Sequence, residues 1–175
     1  MGRASDLAAA LDSGGLTSAA PTEQAFTGAA DSRWVHPAHL VAAARAAKDA
    51  GFFYESMTCV DRLDPHGVFE LVTTFSTYEE PGSRLALRTW IPKDAEAPSL
   101  TPVFGIAEWN EREAWEFFGL RFAGHPNLTW LLLPEDTEFR PLLKSFTAPP
   151  PSQFDDSLNT PAPAPADDAQ HAQHG

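Results

Sequence analysis

Two alternating apolar runs constrain this chain most. Val68–Ser76 sets Phe69, Leu71, Thr73 and Phe75 on one face, and Arg84–Ile91 sets Leu85, Leu87 and Ile91 on one face. Glu79-Glu80-Pro81-Gly82 turns the chain between them. A connection this short makes the two runs antiparallel neighbours, so the spacing predicts a hairpin. Phe52–Thr58 is also β-rich and leads into a turn around Asp61–Gly67. Leu100–Ile106 reads as an edge strand, because Pro102 has no amide to give to a ladder.

Helical signals flank the strands. Pro37 suits a first helical position, Leu40, Val41, Ala44 and Ala47 share a face, and Gly51 supplies a left-handed stop. His36 and His39 have a spacing open to a metal pair, but no acid or cysteine beside them completes a site, so they read as a helix start. Glu108–Phe118 turns helical again before Gly119. The predicted fold class is therefore α+β: a small, mostly antiparallel sheet with helices packed on one face, followed by an extended C-terminal segment.

Charge and proline divide the chain further. Its 175 residues fit one domain, and all five Trp fall between residues 34 and 146. Residues 1–33, rich in Ala, Gly, Ser and Thr, read as a flexible N-terminal arm, with Leu7, Leu11 and Leu16 able to form a short amphipathic turn or two after Ser5 that Gly14-Gly15 stops. Residues 34–122 read as the body and 123–146 as an extended partner-binding segment. Residues 147–175 carry Asp155, Asp156, Asp167 and Asp168 with no Lys or Arg, and prolines at 149–151, 161, 163 and 165. They read as a Pro/Ala-rich acidic disordered tail, or else as an extended arm anchored on a partner by Phe154.

Several functions are excluded or disfavoured. Twelve basic against 24 acidic residues, a net charge of −12, argue against nucleic-acid binding. No apolar run approaches the ~20 residues of a membrane helix, and the first ten residues lack the features of a signal peptide. A single cysteine, Cys59, excludes a cysteine-cluster metal or iron–sulfur site and an internal disulfide framework, and fits the reducing cytosol. No glycine-rich phosphate loop occurs.

Chemistry-bearing residues concentrate between Glu108 and Pro126. In helical register Glu108, Arg112 and Glu116 lie four apart, the arrangement of an ion-pair ladder. Trp109, Trp115, Phe117, Phe118 and Phe122 give this short helix apolar surface on several sides, more than one core needs, which points to a partner protein. His125, held extended by Pro126, is the best single candidate for catalysis, with Glu113 or Glu116 beside it. No nucleophile stands in a recognisable context, so the residues alone indicate an interaction module.

This stretch resembles a known family. Glu111-Arg112-Glu113, Glu116-Phe117-Phe118-Gly119 and Phe122-Ala123-Gly124-His125-Pro126-Asn127-Leu128 look like the signature of the 30 kDa subunit of NADH:quinone oxidoreductase, respiratory complex I. Leu132-Leu133-Pro134-Glu135-Asp136 and Pro141-Leu142-Leu143-Lys144-Ser145-Phe146 resemble its later segments, and Pro37, Leu40, Gly51-Phe52 and Val60-Asp61 its opening ones. The likeness runs from Trp34 to Phe146. Thr129-Trp130 replace basic residues of the family pattern, Leu143 replaces Arg, and Ser145 replaces Asp.

The resemblance implies a non-catalytic structural subunit of the hydrophilic arm, supporting electron transfer to quinone coupled to proton translocation. It implies no catalytic, cofactor-binding or metal residues in this chain, the iron–sulfur clusters and quinone belonging to partner subunits. The implied partners are a large quinone-site subunit and a small iron–sulfur subunit, on the cytoplasmic side of the inner membrane and peripheral to it. The implied interface residues are Glu111, Arg112, Glu113, Glu116, Gly119, Phe122, Gly124, His125, Pro126, Leu142 and Lys144. The family also serves membrane-bound energy-converting nickel–iron hydrogenases, so an equivalent component of such a complex is the alternative. A stand-alone hydrolase using His125 is the remote one.

Overall fold

The computed structural model describes residues 2–22 and 28–147. The elements are α1 (Arg3–Ser13), β1 (Thr17–Ala19), β2 (Asp31–Val35), α2 (Pro37–Asp49), β3 (Phe53–Arg62), β4 (Val68–Ser76), β5 (Arg84–Pro92), β6 (Ala97–Pro98), α3 (Ala107–Phe118) and β7 (Phe122–Ala123). A turn at Leu63–His66 joins β3 to β4.

The hairpin read from the alternation is present, with Phe69 opposite Ile91 and Phe75 opposite Leu85. It forms the centre of a five-stranded sheet of order β1-β2-β5-β4-β3. Every pairing is antiparallel except β2 with β5. One face buries Phe69, Leu71, Phe75, Leu85, Leu87 and Ile91 against residues of all three helices, in a single core. The α+β class is therefore as the sequence implied.

Helix α2 starts as predicted. Pro37 opens it and the His36 side chain caps it, Nδ1 accepting the Ala38 N–H at 3.2 Å. His36 is thus a helix cap and not half of a metal pair. Cys59 is buried in β3, and burial, with Asp61 adding to it, pushes its thiol up to about 12.

Three expectations are corrected. The first part of residues 1–33 is not a loose arm: Ala4, Leu7, Ala8 and Leu11 recur with helical period and are buried in the core. The start of α1 is fixed by the Ala4 N–H donating to Ser83 Oγ at 2.9 Å and the Arg3 N–H donating to Glu80 Oε2 at 2.6 Å. Small alanines let the helix approach the sheet closely, and their apolar contribution is easily missed in a Leu count.

Strand β3 runs on to Arg62, so Asp61 belongs to the sheet and not to the turn. Leu100–Ile106 is a series of turns and not a strand: the N–H groups of Val103 and Phe104 both return to the Leu100 carbonyl, and the Leu100 N–H goes to a carboxylate. The edge pairing falls just before it, where β6 lies parallel to β7.

Residues 148–175 lie outside the described residues, and with them the readings of the tail and of Phe154.

Candidate partner-docking surface

Helix α3 packs its inner side on β3 and holds the segment after it with its polar groups. Gly119 ends the helix in the left-handed region at φ 83°, which turns the chain back along the helix. The returning segment, residues 124–146, is a run of turns and bends with no helix or strand of its own, and α3 holds it through the side chains of Arg112 and Glu116 and through backbone carbonyls.

The Glu108–Arg112–Glu116 ladder does not form. Arg112 instead donates Nε–H to the Thr129 carbonyl at 3.0 Å and Nη2–H to the Trp130 carbonyl. Glu116, fully buried, accepts the backbone N–H groups of Leu131 at 2.8 Å and Leu132 at 3.0 Å, and of Leu133 as well. One turn of helix thus presents a cation to two successive carbonyls and an anion to the three N–H groups that follow. The sign of each charge matches the dipoles it meets.

Arg140 completes the clasp. Its guanidinium lies over the rings of Trp115 and Trp130, 5.4 and 5.1 Å from their centroids, and donates to the Glu116 carbonyl at 3.1 Å. Trp130, one of the departures from the family pattern, therefore has a defined packing role. The Leu142 N–H donates to the Phe117 carbonyl at 3.2 Å, and the Lys144 N–H to Asp61 Oδ2 at 2.8 Å. Leu143, a second departure, packs against the core.

His125 is spent on the same task. Its Nδ1 accepts the Asn127 N–H at 3.0 Å, so the other ring nitrogen carries the proton and donates to the Glu108 carbonyl at 3.2 Å. Both nitrogens are engaged with backbone.

Glu111 lies deeper. Its Oε1 accepts the Leu100 N–H at 2.6 Å, and its Oε2 is buried with no hydrogen bond. Burial pushes this carboxyl up to about 7, with the Ser99 hydroxyl and the Leu100 N–H pulling the other way.

Of the residues implied as interface, Glu111, Glu116 and Phe122 are interior side chains. In this chain the Glu111 and Glu116 carboxylates join two parts of the same chain. Gly119 is the helix stop, and Arg112 is half-buried with its donors directed to carbonyls of the same chain. Glu113, Gly124, Pro126, Leu142 and Lys144 are exposed.

Large apolar side chains line the same region: Trp109, at 53 % exposure, Leu132, at 67 %, Phe139 and Leu142. The sequence signals for Asp61, Arg140 and Leu132 were weak, because none stands in a helical or strand period. Among the described residues no group of three or more His, Cys, Asp or Glu could hold a metal ion, and no helix is long and apolar enough to cross a membrane.

The chain is similar to known proteins. NADH-quinone oxidoreductase subunit 5 of Thermus thermophilus is 40% identical over 80 residues, 45% of this chain and 39% of that protein. The C/D polypeptide of the Pectobacterium atrosepticum NADH-quinone oxidoreductase is 47% identical over 55 residues, 31% of this chain and 9% of that one. The matches thus span well under half of these relatives. A chain of the membrane-bound sulfane sulfur reductase, an archaeal respiratory membrane complex, shares the fold with a TM-score of 0.68 at 23% identity, over 82% of this chain and 84% of its own. The model of the respiratory-chain NADH dehydrogenase 30 kDa subunit matches residues 33–152, well over half of the sequence, and the chain belongs to that family.

Proposed function

We propose that this chain is a structural subunit of the hydrophilic arm of a complex-I-type NADH:quinone oxidoreductase and performs no chemical step itself. The observation that carries this reading is the clasp. Arg112 and Glu116 spend their polar groups on the segment 129–133, Arg140 returns from the segment to the Glu116 carbonyl, and Trp109, Leu132, Phe139 and Leu142 are left exposed beside them. A preformed segment bearing large apolar side chains loses little conformational entropy on docking, which favours tight assembly.

On this reading the partners are a large quinone-site subunit and a small iron–sulfur subunit, and they hold the clusters and the quinone. The Pectobacterium relative, whose C/D name joins two subunits in one chain, supports a lasting partner for this fold. The complex carries out electron transfer to quinone and couples it to proton translocation, and this chain keeps the partners in register. It lies peripheral to the membrane on the cytoplasmic side.

The test is a tagged pull-down from native membranes in mild detergent, with mass spectrometry. Recovery of an iron–sulfur subunit and a quinone-site subunit is the expected result. Recovery of a nickel–iron hydrogenase large subunit instead would assign the chain to an energy-converting hydrogenase. Recovery of the chain alone would overturn the assembly role.

A further inference from the structure

The helices cover one face of the sheet, and the other carries an aromatic groove that the clasp does not use. Trp34 on β2 and Trp90 on β5 meet edge to face, with ring centroids 4.8 Å apart, and Trp90 is half-exposed. Leu16, Pro37 and His39 continue the wall, and the cavity measures about 600 Å³. Arg88 lies over the Trp34 ring at 5.0 Å, and His66 stacks on Trp90. Beside them Glu70, nearly fully buried, is shared by Arg62 at 3.0 Å and Arg88 at 2.6 Å, so two cations face one carboxylate.

We propose that this groove is the docking site of the chain's own proline-rich C-terminal segment, residues 148–175. Three observations select that occupant.

The first is chemistry. Proline in an extended polyproline II run packs its ring on tryptophan faces, and it needs no backbone hydrogen bonds from the groove. The segment supplies Pro149-Pro150-Pro151 and the alternating Pro161, Pro163 and Pro165.

The second is charge. The segment carries four aspartates and no Lys or Arg, and the pocket that adjoins the cavity along Trp34 and Trp90 is lined by Arg62 and Arg88 against the single carboxylate of Glu70, an excess of one positive charge. Among the described residues no acidic side chain lines the Trp34–Trp90 cavity itself.

The third is where the described chain ends. The Lys144 N–H is tied to Asp61, adjacent in sequence to Arg62, on the edge strand β3. Thr58 pairs with Val72, Val72 with Arg88, and Arg88 with Trp34. The path from that edge to Trp34 is therefore three strand spacings, about 15 Å at 4.8 Å each. Pro161 lies fourteen positions after Thr147, and a chain of that length can span at most about 45 Å, more than is needed to round the edge and cross the sheet. Tethering also gives the segment a high effective concentration at the groove, so weak contacts suffice.

The test uses the full chain with Ala162→Cys carrying a nitroxide. Cys59 is buried and its thiol is pushed up to about 12, so the label goes to the new cysteine. The indole N–H resonances of the five tryptophans are then compared with the label oxidised and reduced. Selective loss of intensity at Trp34 and Trp90, with Trp109, Trp115 and Trp130 spared, is the expected result. In a Pro161→Ser, Pro163→Ser, Pro165→Ser background, which changes nothing in the described fold, the two signals are expected to recover. Equal effects on all five tryptophans, or none, would overturn the proposal. So would loss that appears only when labelled and isotopically enriched chains are mixed, since the occupant would then be a second copy.

Discussion

The carboxylate of Glu116, fully buried in helix α3, accepts the backbone N–H of Leu131 at 2.8 Å, and the same group takes up the N–H groups of Leu132 and Leu133. Fifteen residues separate the first pair in sequence. The helix thus fixes the path of a segment that has no strand or helix of its own, which is why that segment needs no sheet partner.

Removing that acceptor frees the segment. Glu116→Ala strands three N–H groups that no other residue is placed to receive, and each charge-assisted bond is worth about 1.5–3 kcal/mol. Partial access to water returns some of this, so the expected loss of stability is roughly 3 kcal/mol in total. Glu116→Gln keeps one acceptor oxygen and should lose about half as much. Urea unfolding measures the loss, and amide exchange at Leu131–Leu133 localises it. Unchanged exchange in the alanine variant would mean that another group holds the segment.

Arg140 tests the aromatic half of the clasp. Arg140→Lys keeps the charge but loses the flat guanidinium that lies over Trp115 and Trp130 and the planar donor to the Glu116 carbonyl. A loss of about 1 kcal/mol is expected, together with a change in the fluorescence of the tryptophan pair. Gly119→Ala should act on the same contact from the other side. Its φ of 83° disfavours any side chain, and a Cβ there would stand 3.4 Å from Arg140 Nε. The expected loss is about 1–2 kcal/mol, the usual cost of a left-handed residue with a side chain.

Glu111 gives the fold a pH dependence. Its carboxyl titrates near 4.5 when free, and burial raises it to about 7 in the folded chain. The protonated form is the one that the folded site favours. Its contribution is therefore fully present below about pH 4.5 and is lost as pH rises through 7. At 1.36 kcal/mol per pKa unit the swing is on the order of 3 kcal/mol. Glu111→Gln keeps an oxygen for the Leu100 N–H and removes the titration. Urea midpoints taken from pH 4.5 to 8 should fall less steeply in the glutamine variant than in the parent, and parallel profiles would assign the pH dependence to other groups.

The sequence carried the sheet centre because alternation has a period of two and either misplacement would turn Phe69 or Leu85 into water. It carried α3 and its Gly119 stop for a similar local reason. It did not carry α1, whose burial depends on Ala4 and Ala8 fitting closely against residues far away in the chain. Nor did it carry the clasp. Spacing of four placed Arg112 between two carboxylates, and helix geometry permits those pairs, but an exposed pair gains only some tenths of a kcal/mol. Carbonyls and N–H groups arriving from residues 129–133 offered each charge more, and nothing local in Thr129-Trp130 or Leu131–Leu133 announces their arrival. The structure then gave Glu111 and Glu116 intramolecular partners where the resemblance implied intersubunit ones.

On the proposed function, Arg112 links the fold to assembly. Its guanidinium holds the Thr129 and Trp130 carbonyls and lies 5.5 Å from the centroid of the exposed Trp109 ring. Arg112→Ala removes two donors to backbone and the support of an exposed aromatic, so the segment carrying Leu132 loses its fixed course. The expected outcome is a folded chain that fails to co-purify with its partners, because the ordering that the clasp supplied beforehand must now be met at docking. Complex that does assemble should turn over quinone normally. The measurement is the amount of tagged variant in the assembled fraction, with turnover normalised to that amount. Full assembly with collapsed turnover would place Arg112 in the chemistry and overturn the structural reading of this protein.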